Sequence, residues 1–324
     1  MQFSLVKPMA SYLLNGALWA AGASLQASTA AAADLTRIPT FVYSGAGCTG
    51  RSQVPAFEKM IGRKADGVVD FLANDTWQHM LDGATWSMSC WSSKYNYLLG
   101  VPMLLHDGTT LAAAARGDYD AHYAKLAMLL IQKGRSNAYI RLGWEFNGNW
   151  FPWAASKDPA SFRNAFRRIV RVMRSQKGAN FKFVWNPVNN AEGVKPRDAY
   201  PGDDVVDVIG LDLYDASWRS QDKRFASRWA YYKTQTYGLD WLKQFSMAHG
   251  KPVAFPEWGT GSRPDGHGFA NDAQFVTSLA EWMKGVNIAF HAYWDFNAPD
   301  YSSRLSAHRH PEAEAAFVRA FGTK

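Results

Sequence analysis

Two glutamates sit in surroundings suited to chemistry. Glu145 lies in RLGWEFNGNWFPW (141–153), one carboxylate among three tryptophans, two phenylalanines and two asparagines. Glu257 lies in KPVAFPEWG (251–259), also at the end of an apolar run and also followed by tryptophan and glycine. Two carboxylates facing each other across an indole-lined cleft can break a glycosidic bond. One protonates the leaving oxygen, and the other attacks the anomeric carbon or activates water. Indoles suit such a cleft, because the C–H face of a sugar stacks on a large apolar ring that keeps one N–H donor. Trp150, Phe151 and Trp153 then make a sugar platform beside Glu145, with Asn147 and Asn149 in reach of hydroxyls. A plainer reading stays open: Arg141, four residues before Glu145, would face the same side of an extended strand and form a structural ion pair with it.

The two acids need a scaffold that brings them together. Apolar, β-branched or aromatic runs alternate with helical patterns along the chain. Strands are expected at 39–45, 67–72, within 97–108, and at 138–145, 181–188, 205–215, 251–259 and 287–297. Helices are expected at 54–61, 119–134, 159–176, 225–249, 271–285 and 311–321. Strands alternating with helices imply a parallel sheet, and eight of them in one domain imply an α/β fold of the closed (β/α)8 barrel type. An open doubly wound sheet is the alternative, but no Gly-rich nucleotide loop follows the first strand.

In such a barrel the active site sits at the C-terminal strand ends. Reading those ends gives Asp107, Glu145, Asp212 or Asp215, Glu257 and Asp295. Glu257 follows Glu145 by roughly three repeats of roughly 36 residues, which places the pair on the fourth and seventh strands of one barrel. Asn186, at the end of the fifth strand, is a further candidate for substrate contact, as is His106 beside Asp107.

The RLGWEFNGNWFPW segment resembles the acid/base segment of glycoside hydrolase family 26, a family of β-mannanases and other endo-β-glycanases. The usual form there is Arg-x-x-His-Glu-x-Asn-Gly-x-Trp-Phe-x-Trp. KPVAFPEWG resembles the nucleophile strand, VIGLDLYD the sixth strand, and AYWDFN the eighth. The resemblance runs over most of the chain from about residue 40 onward. It implies a retaining mechanism in which Glu145 is the acid/base and Glu257 the nucleophile. It maps the tyrosine that contacts the nucleophile onto Tyr214, and the tryptophan under the cleaved bond onto Trp294. Trp258, directly after Glu257, joins the expected substrate-binding set. The chain departs from the pattern at Trp144, where the family usually has histidine. An indole donates one hydrogen bond and accepts none, so the departure bears on which sugar is read, not on the two-glutamate chemistry. An endo-acting β-glycosidase for mannan or a bacterial exopolysaccharide is the expectation. The alternatives are a non-catalytic carbohydrate-binding barrel and a transglycosylase.

The remaining features set the context. The chain has 324 residues, 47% hydrophobic and 19% charged, a globular balance that can bury a large core. Residues 1–33 read as an export signal: Lys7 is the only charge, an apolar stretch follows, and a small-residue run, ASTAAAADL, offers a cleavage site. The mature chain, 34–324, is then a single catalytic domain, secreted or periplasmic, without a membrane span. In that oxidising compartment Cys48 and Cys90 either form one disulfide or stay as two buried thiols. The net charge of +7 mildly favours an acidic polymer. The basic residues are scattered, so nucleic acid is not expected as a partner. HRH (308–310) lacks a third ligand for a metal site, and SGAGCTGRS (44–52) lacks the lysine and spacing of a phosphate loop and reads as a rim loop. No cofactor or metal is expected. The partner is a polysaccharide or oligosaccharide.

Overall fold

The computed structural model describes residues 35–323, apart from 107 and 190. Residues 1–33, expected as an export signal, and Asp107 therefore lie outside the described residues. The strands are β1 (Thr40–Tyr43), β2 (Gly67–Phe71), β3 (Asn96–Val101), β4 (Tyr139–Leu142), β5 (Lys182–Trp185), β6 (Val208–Gly210), β7 (Leu213–Asp215), β8 (Val253–Thr260) and β9 (Ile288–Trp294). They pair in parallel from β1 through β6, then β8 and β9, and β9 returns to β1. This is the closed (β/α)8 barrel expected from the alternation.

The sixth stave is split in two. β6 pairs with β5 and β8, while β7 pairs with β8 alone. Between them Asp212 donates its N–H to the Pro187 carbonyl and bridges to Val188. The interruption leaves Asp212 near the C-terminal end of the barrel with its backbone groups still bonded.

Inside the barrel, Phe41, Val69, Leu98, Val184, Val208, Ala254, Phe290 and Ala292 form one apolar cluster. Glycines make room for the rings. A Cβ on Gly67 would lie 2.6 Å from the Phe41 ring, and one on Gly100 would lie 2.5 Å from Phe71. Gly100 is the strand neighbour of Phe71, which lines the catalytic mouth, so the glycine sets where that ring lies.

The helices are α1 (Gly47–Ile61), α2 (Trp77–Cys90), α3 (Leu111–Arg116), α4 (Asp120–Gln132), α5 (Pro159–Arg174), α6 (Pro196–Ala199), α7 (Phe225–Thr234), α8 (Leu239–Ala248), α9 (Ala273–Met283) and α10 (Pro311–Phe321). α5 follows its sequence signals. Asp158 caps Ser161 N–H at 2.9 Å, Pro159 takes the first turn, and Phe162, Ala165, Phe166, Ile169, Val170 and Met173 are buried. Each large apolar chain in that row contributes roughly 1.5–3 kcal/mol of transfer free energy. The arginines of α5 stay on its outer face and pair with aspartates of neighbouring elements.

Two helical expectations need correction, and a third helix gains a neighbour. The helix at 54–61 begins at Gly47, seven residues earlier than Val54. Pro55 suggests a first turn, but the first turn is instead made by the Gly-rich segment read as a rim loop, where Gly47 N–H bonds the buried Asp70 carboxylate at 2.9 Å. The region 225–249 is two helices, because the chain turns at Gly238, where a Cβ would lie 2.3 Å from the Lys233 carbonyl. The helix at 119–134 is preceded by a separate short one, α3, closed by Gly117 in the left-handed region. α2 was not anticipated; Gly83 and the polar residues Asp82, Thr85, Ser87 and Ser89 interrupt its apolar residues.

Cys48 and Cys90 are joined in a disulfide, tying the first turn of α1 to the end of α2. A polar network joins the same two helices: Asp70 accepts from Gly47 N–H, Ser87 Oγ and Trp91 Nε1. The bond closes a 42-residue span. Replacing both cysteines by serine is expected to lower the unfolding free energy by about 4 kcal/mol, the chain entropy of such a loop. A urea midpoint indistinguishable from wild type would contradict this.

Candidate active site

β4 stops at Leu142, three residues short of the expected strand end, and the chain then turns sharply. Gly143 and Glu145 both lie in the left-handed region, with φ of 56° and 53°. A side chain on Gly143 would collide with Met103, 2.3 Å away. For glutamate such a backbone costs on the order of 1–3 kcal/mol, a strain that tends to be found where function fixes a side chain. The turn is pinned from both sides: Glu145 N–H donates to the Asn186 carbonyl at 2.8 Å, and Gly148 N–H to the Glu145 carbonyl at 3.0 Å. Glu145 thus reaches the mouth from a turn and not from the strand itself.

Glu257 lies within β8 and is buried, with 7% of its surface exposed. Each of its oxygens has a donor. Arg141 Nη1 donates to Oε1, and Tyr214 Oη donates to Oε2 at 2.5 Å. Arg141 is fully buried and also donates to Asp212 through Nη2 and to Asn186 Oδ1 through Nε. The ion pair anticipated between Arg141 and Glu145 is therefore not formed. Because the strand ends at Leu142, Arg141 points to Glu257 and Asp212 instead.

Glu145 is only half-buried, and the one hydrogen bond its side chain accepts among the described residues comes from Trp150 Nε1, at 2.8 Å to Oε2. Burial, and next the negative charge of Glu257, push its carboxyl up to about 7, against the opposing pull of Arg141 and the Trp150 N–H. The two acids therefore differ in their surroundings: one is clamped by charge-assisted donors, and the other holds its proton near neutrality.

Both line one cleft of about 670 Å3. Its walls are largely aromatic: Phe71, Trp144, Trp150, Phe151, Tyr214, Trp218, Trp294 and Tyr301. Polar groups come from Asn189, Arg263 and Asp300. Trp294 stacks on Tyr43 with centroids 4.1 Å apart and stands edge-on to Tyr214 at 6.2 Å. Trp144 meets Phe71 edge-on at 5.4 Å and lies 5.8 Å from the Arg141 guanidinium. Trp150 and Trp218 are 51% and 57% exposed, open platforms at the cleft rather than core rings.

Of Trp144, Asn147, Trp150, Trp153, Asn186, Tyr214, Trp258 and Trp294, four line the cleft and four leave it altogether. Trp144, Trp150, Tyr214 and Trp294 do line it. Asn147 is fully buried, and its amide clasps the chain after β5, accepting from Val188 N–H and donating to the Val188 and Ala191 carbonyls. Asn186 is fully buried too and serves Arg141. Trp153 lies behind the wall, donating to the Trp144 carbonyl at 2.8 Å and stacking on Phe151 at 4.5 Å. Trp258 alternates to the outer face of β8, where it donates to His291 Nδ1 at 3.1 Å and stacks on Phe317. Glu257 and Trp258 are adjacent in a strand, so only one can face the mouth.

The other strand-end acids are structural. Asp215 is buried against Arg228 at 2.7 Å and also accepts from Tyr232 and Thr260. Asp295 accepts from Ser306 N–H and Oγ at 2.9 and 2.6 Å. His106 does not line the cleft. His308 pairs with Glu314 at 2.9 Å, and among the described residues no group of three or more metal-binding side chains occurs. Phe71, Asn189, Trp218, Arg263, Asp300 and Tyr301 were not anticipated. Trp218 carried a signal, as a tryptophan soon after the sixth strand; the others come together only through loop conformation.

The sequence profile described as Glycosyl hydrolase family 26 matches residues 128–237, a span that holds Arg141, Glu145, Asp212 and Tyr214. Over these residues the chain is similar to family 26, from which it diverges elsewhere. Among curated relatives, it is 25% identical over 290 residues to Endoglucanase H of Acetivibrio thermocellus, covering 84% of this chain and 29% of that one. It is 32% identical over 157 residues to a Mannan endo-1,4-beta-mannosidase of Bifidobacterium adolescentis, covering 46% of this chain and 15% of that one. The chain thus spans less than a third of the length of either relative. Its fold superposes on the crystal structure of the YdhT protein from Bacillus subtilis with a TM-score of 0.63 at 17% identity, covering 88% of this chain and 86% of that one. Against the family 26 pattern, the Trp144 position is the departure noted in the sequence. Here the indole is a wall of the cleft, packed between Phe71, Phe151 and Trp153.

Proposed function

We propose that this chain is an exported retaining β-glycosidase, endo-acting on a β-linked polysaccharide such as mannan or a bacterial exopolysaccharide. Glu257 attacks the anomeric carbon while Glu145 gives its proton to the leaving oxygen. Water then attacks the glycosyl ester, its proton passes to Glu145, and the Glu257 carboxylate is released. The observation that carries this reading is the contrast between two carboxylates in one cleft. Glu257 is held by Arg141 and Tyr214, which donate to one carboxylate oxygen each and orient the nucleophile. Glu145 is raised to about 7, as a general acid requires. The exposed indoles of Trp150 and Trp218 support endo action, since each offers a stacking surface at the open edge of the cleft. Export is supported by the first 33 residues and by the disulfide, which suits an oxidising compartment. Among the described residues no helix is long and apolar enough to cross a membrane.

The test is a panel of β-mannan, β-glucans, β-xylan and bacterial exopolysaccharides, scored for new reducing ends, loss of viscosity, and the anomeric form of the first product by NMR. Fast loss of viscosity with a β product supports the reading. An α first product, or binding without any cleavage, would overturn it.

The pH dependence follows from Glu145. Its proton is needed in the first step, so kcat/KM is expected to fall as pH rises through about 7. A profile flat between about pH 6 and 9 would contradict the assignment.

A further inference from the structure

Trp150 does two things at once. Its ring is half exposed in the cleft, and its Nε1–H points away from solvent to Glu145 Oε2 at 2.8 Å. No other hydrogen bond to that carboxylate is found among the described residues. The charged and titratable groups facing Glu145 are Arg141 from β4, Asp212 and Tyr214 from the sixth stave, Glu257 from β8 and Asp300 from the loop after β9. Arg141 already serves Glu257 and Asp212, so it does not bond Glu145. The indole is thus the neutral donor that orients this carboxylate.

An N–H donor stabilises a carboxylate anion and not the neutral acid. The two halves of the reaction need opposite forms. Cleavage of the glycosidic bond consumes the proton on Glu145, while hydrolysis of the glycosyl ester needs the anion to accept a proton from water. We propose that Trp150 is a positioning residue for the second half: its N–H holds Glu145 as an oriented base for hydrolysis of the glycosyl-enzyme. This rests on the roles given to Glu145 and Glu257 above. It separates the indole's hydrogen bond from its stacking surface, two contributions that act on different kinetic steps.

The experiment compares wild type, Trp150→Phe and Trp150→His on 2,4-dinitrophenyl β-cellobioside and β-mannobioside. With so good a leaving group the first step needs little acid help, and ester hydrolysis limits turnover. Trp150→Phe keeps an aromatic face and loses the N–H. It is expected to lower kcat about tenfold, the worth of one hydrogen bond to a charged group. KM should fall in parallel, with a pre-steady-state burst, and the alkaline limb of kcat/KM should move to higher pH. Trp150→His, which keeps a ring N–H, should recover part of kcat. A Phe variant with raised KM, unchanged kcat and an unmoved pH limb would overturn the proposal and leave Trp150 as a stacking surface only. Wild-type enzyme that turns over neither glycoside, or an Ala variant of Glu145 that behaves like wild type, would instead count against the roles of the glutamates themselves.

Discussion

Glu257→Ala is expected to abolish turnover, with a loss on the order of 10^5 or more in kcat, the scale seen when a covalent nucleophile is removed. Neither Glu145 nor Asp212 can take its place. Glu145 is turned toward Trp150, and Asp212 lies fully buried under Arg141. The variant also leaves Arg141 Nη1 and the Tyr214 hydroxyl without their acceptor. Removing one member of a buried ion pair carries its own cost of about 3–5 kcal/mol, so thermal unfolding must be measured beside activity. Glu257→Gln keeps the shape and an acceptor oxygen, and it should be equally inactive while unfolding closer to wild type. A glutamine variant with more than a few per cent of wild-type turnover would remove Glu257 from the reaction.

Glu145→Ala is expected to separate substrates by their leaving groups. On natural polysaccharide the loss should be about 10^2–10^4-fold, because the departing sugar oxygen needs a proton. On a dinitrophenyl glycoside the first step should survive, and turnover should be limited by the loss of the base. Azide needs no base, so it should restore part of that rate and yield a glycosyl azide of retained configuration. Equal losses on both substrates, with no response to azide, would mean that Glu145 serves the fold and not the chemistry. Its positive φ makes that outcome informative, since alanine at such a position carries its own strain.

Much of this was legible from local pattern. Eight apolar runs at regular spacing gave the barrel, and an acid closing each of two strands gave the pair, because strand ends in this fold share one mouth. What pattern could not give was side-chain direction. Asn147, Asn186 and Trp153 lie near Glu145 in sequence or in register, yet backbone bonds turn them inward to brace the loop. Trp258 is excluded by strand alternation, which adjacency to Glu257 should have signalled. Arg141 was visible as a partner for an acid, but which acid depended on β4 ending at Leu142 and on two left-handed positions flanking Trp144, at Gly143 and Glu145. The split sixth stave, which carries Asp212 under Arg141, has no local signal at all: it goes with the bridge from Asp212 to Val188, which follows β5 on the neighbouring stave.

The most direct test is covalent trapping. Enzyme incubated with a 2-deoxy-2-fluoro-β-glycosyl fluoride of the sugar found on the substrate panel should gain the mass of one glycosyl unit, and peptide mapping should place that unit on Glu257. Glu145→Ala should still accept the label, whereas Glu257→Gln should not. A label on any other side chain, or an enzyme that cleaves its polysaccharide quickly while never becoming labelled, would contradict a double displacement through this pair of glutamates.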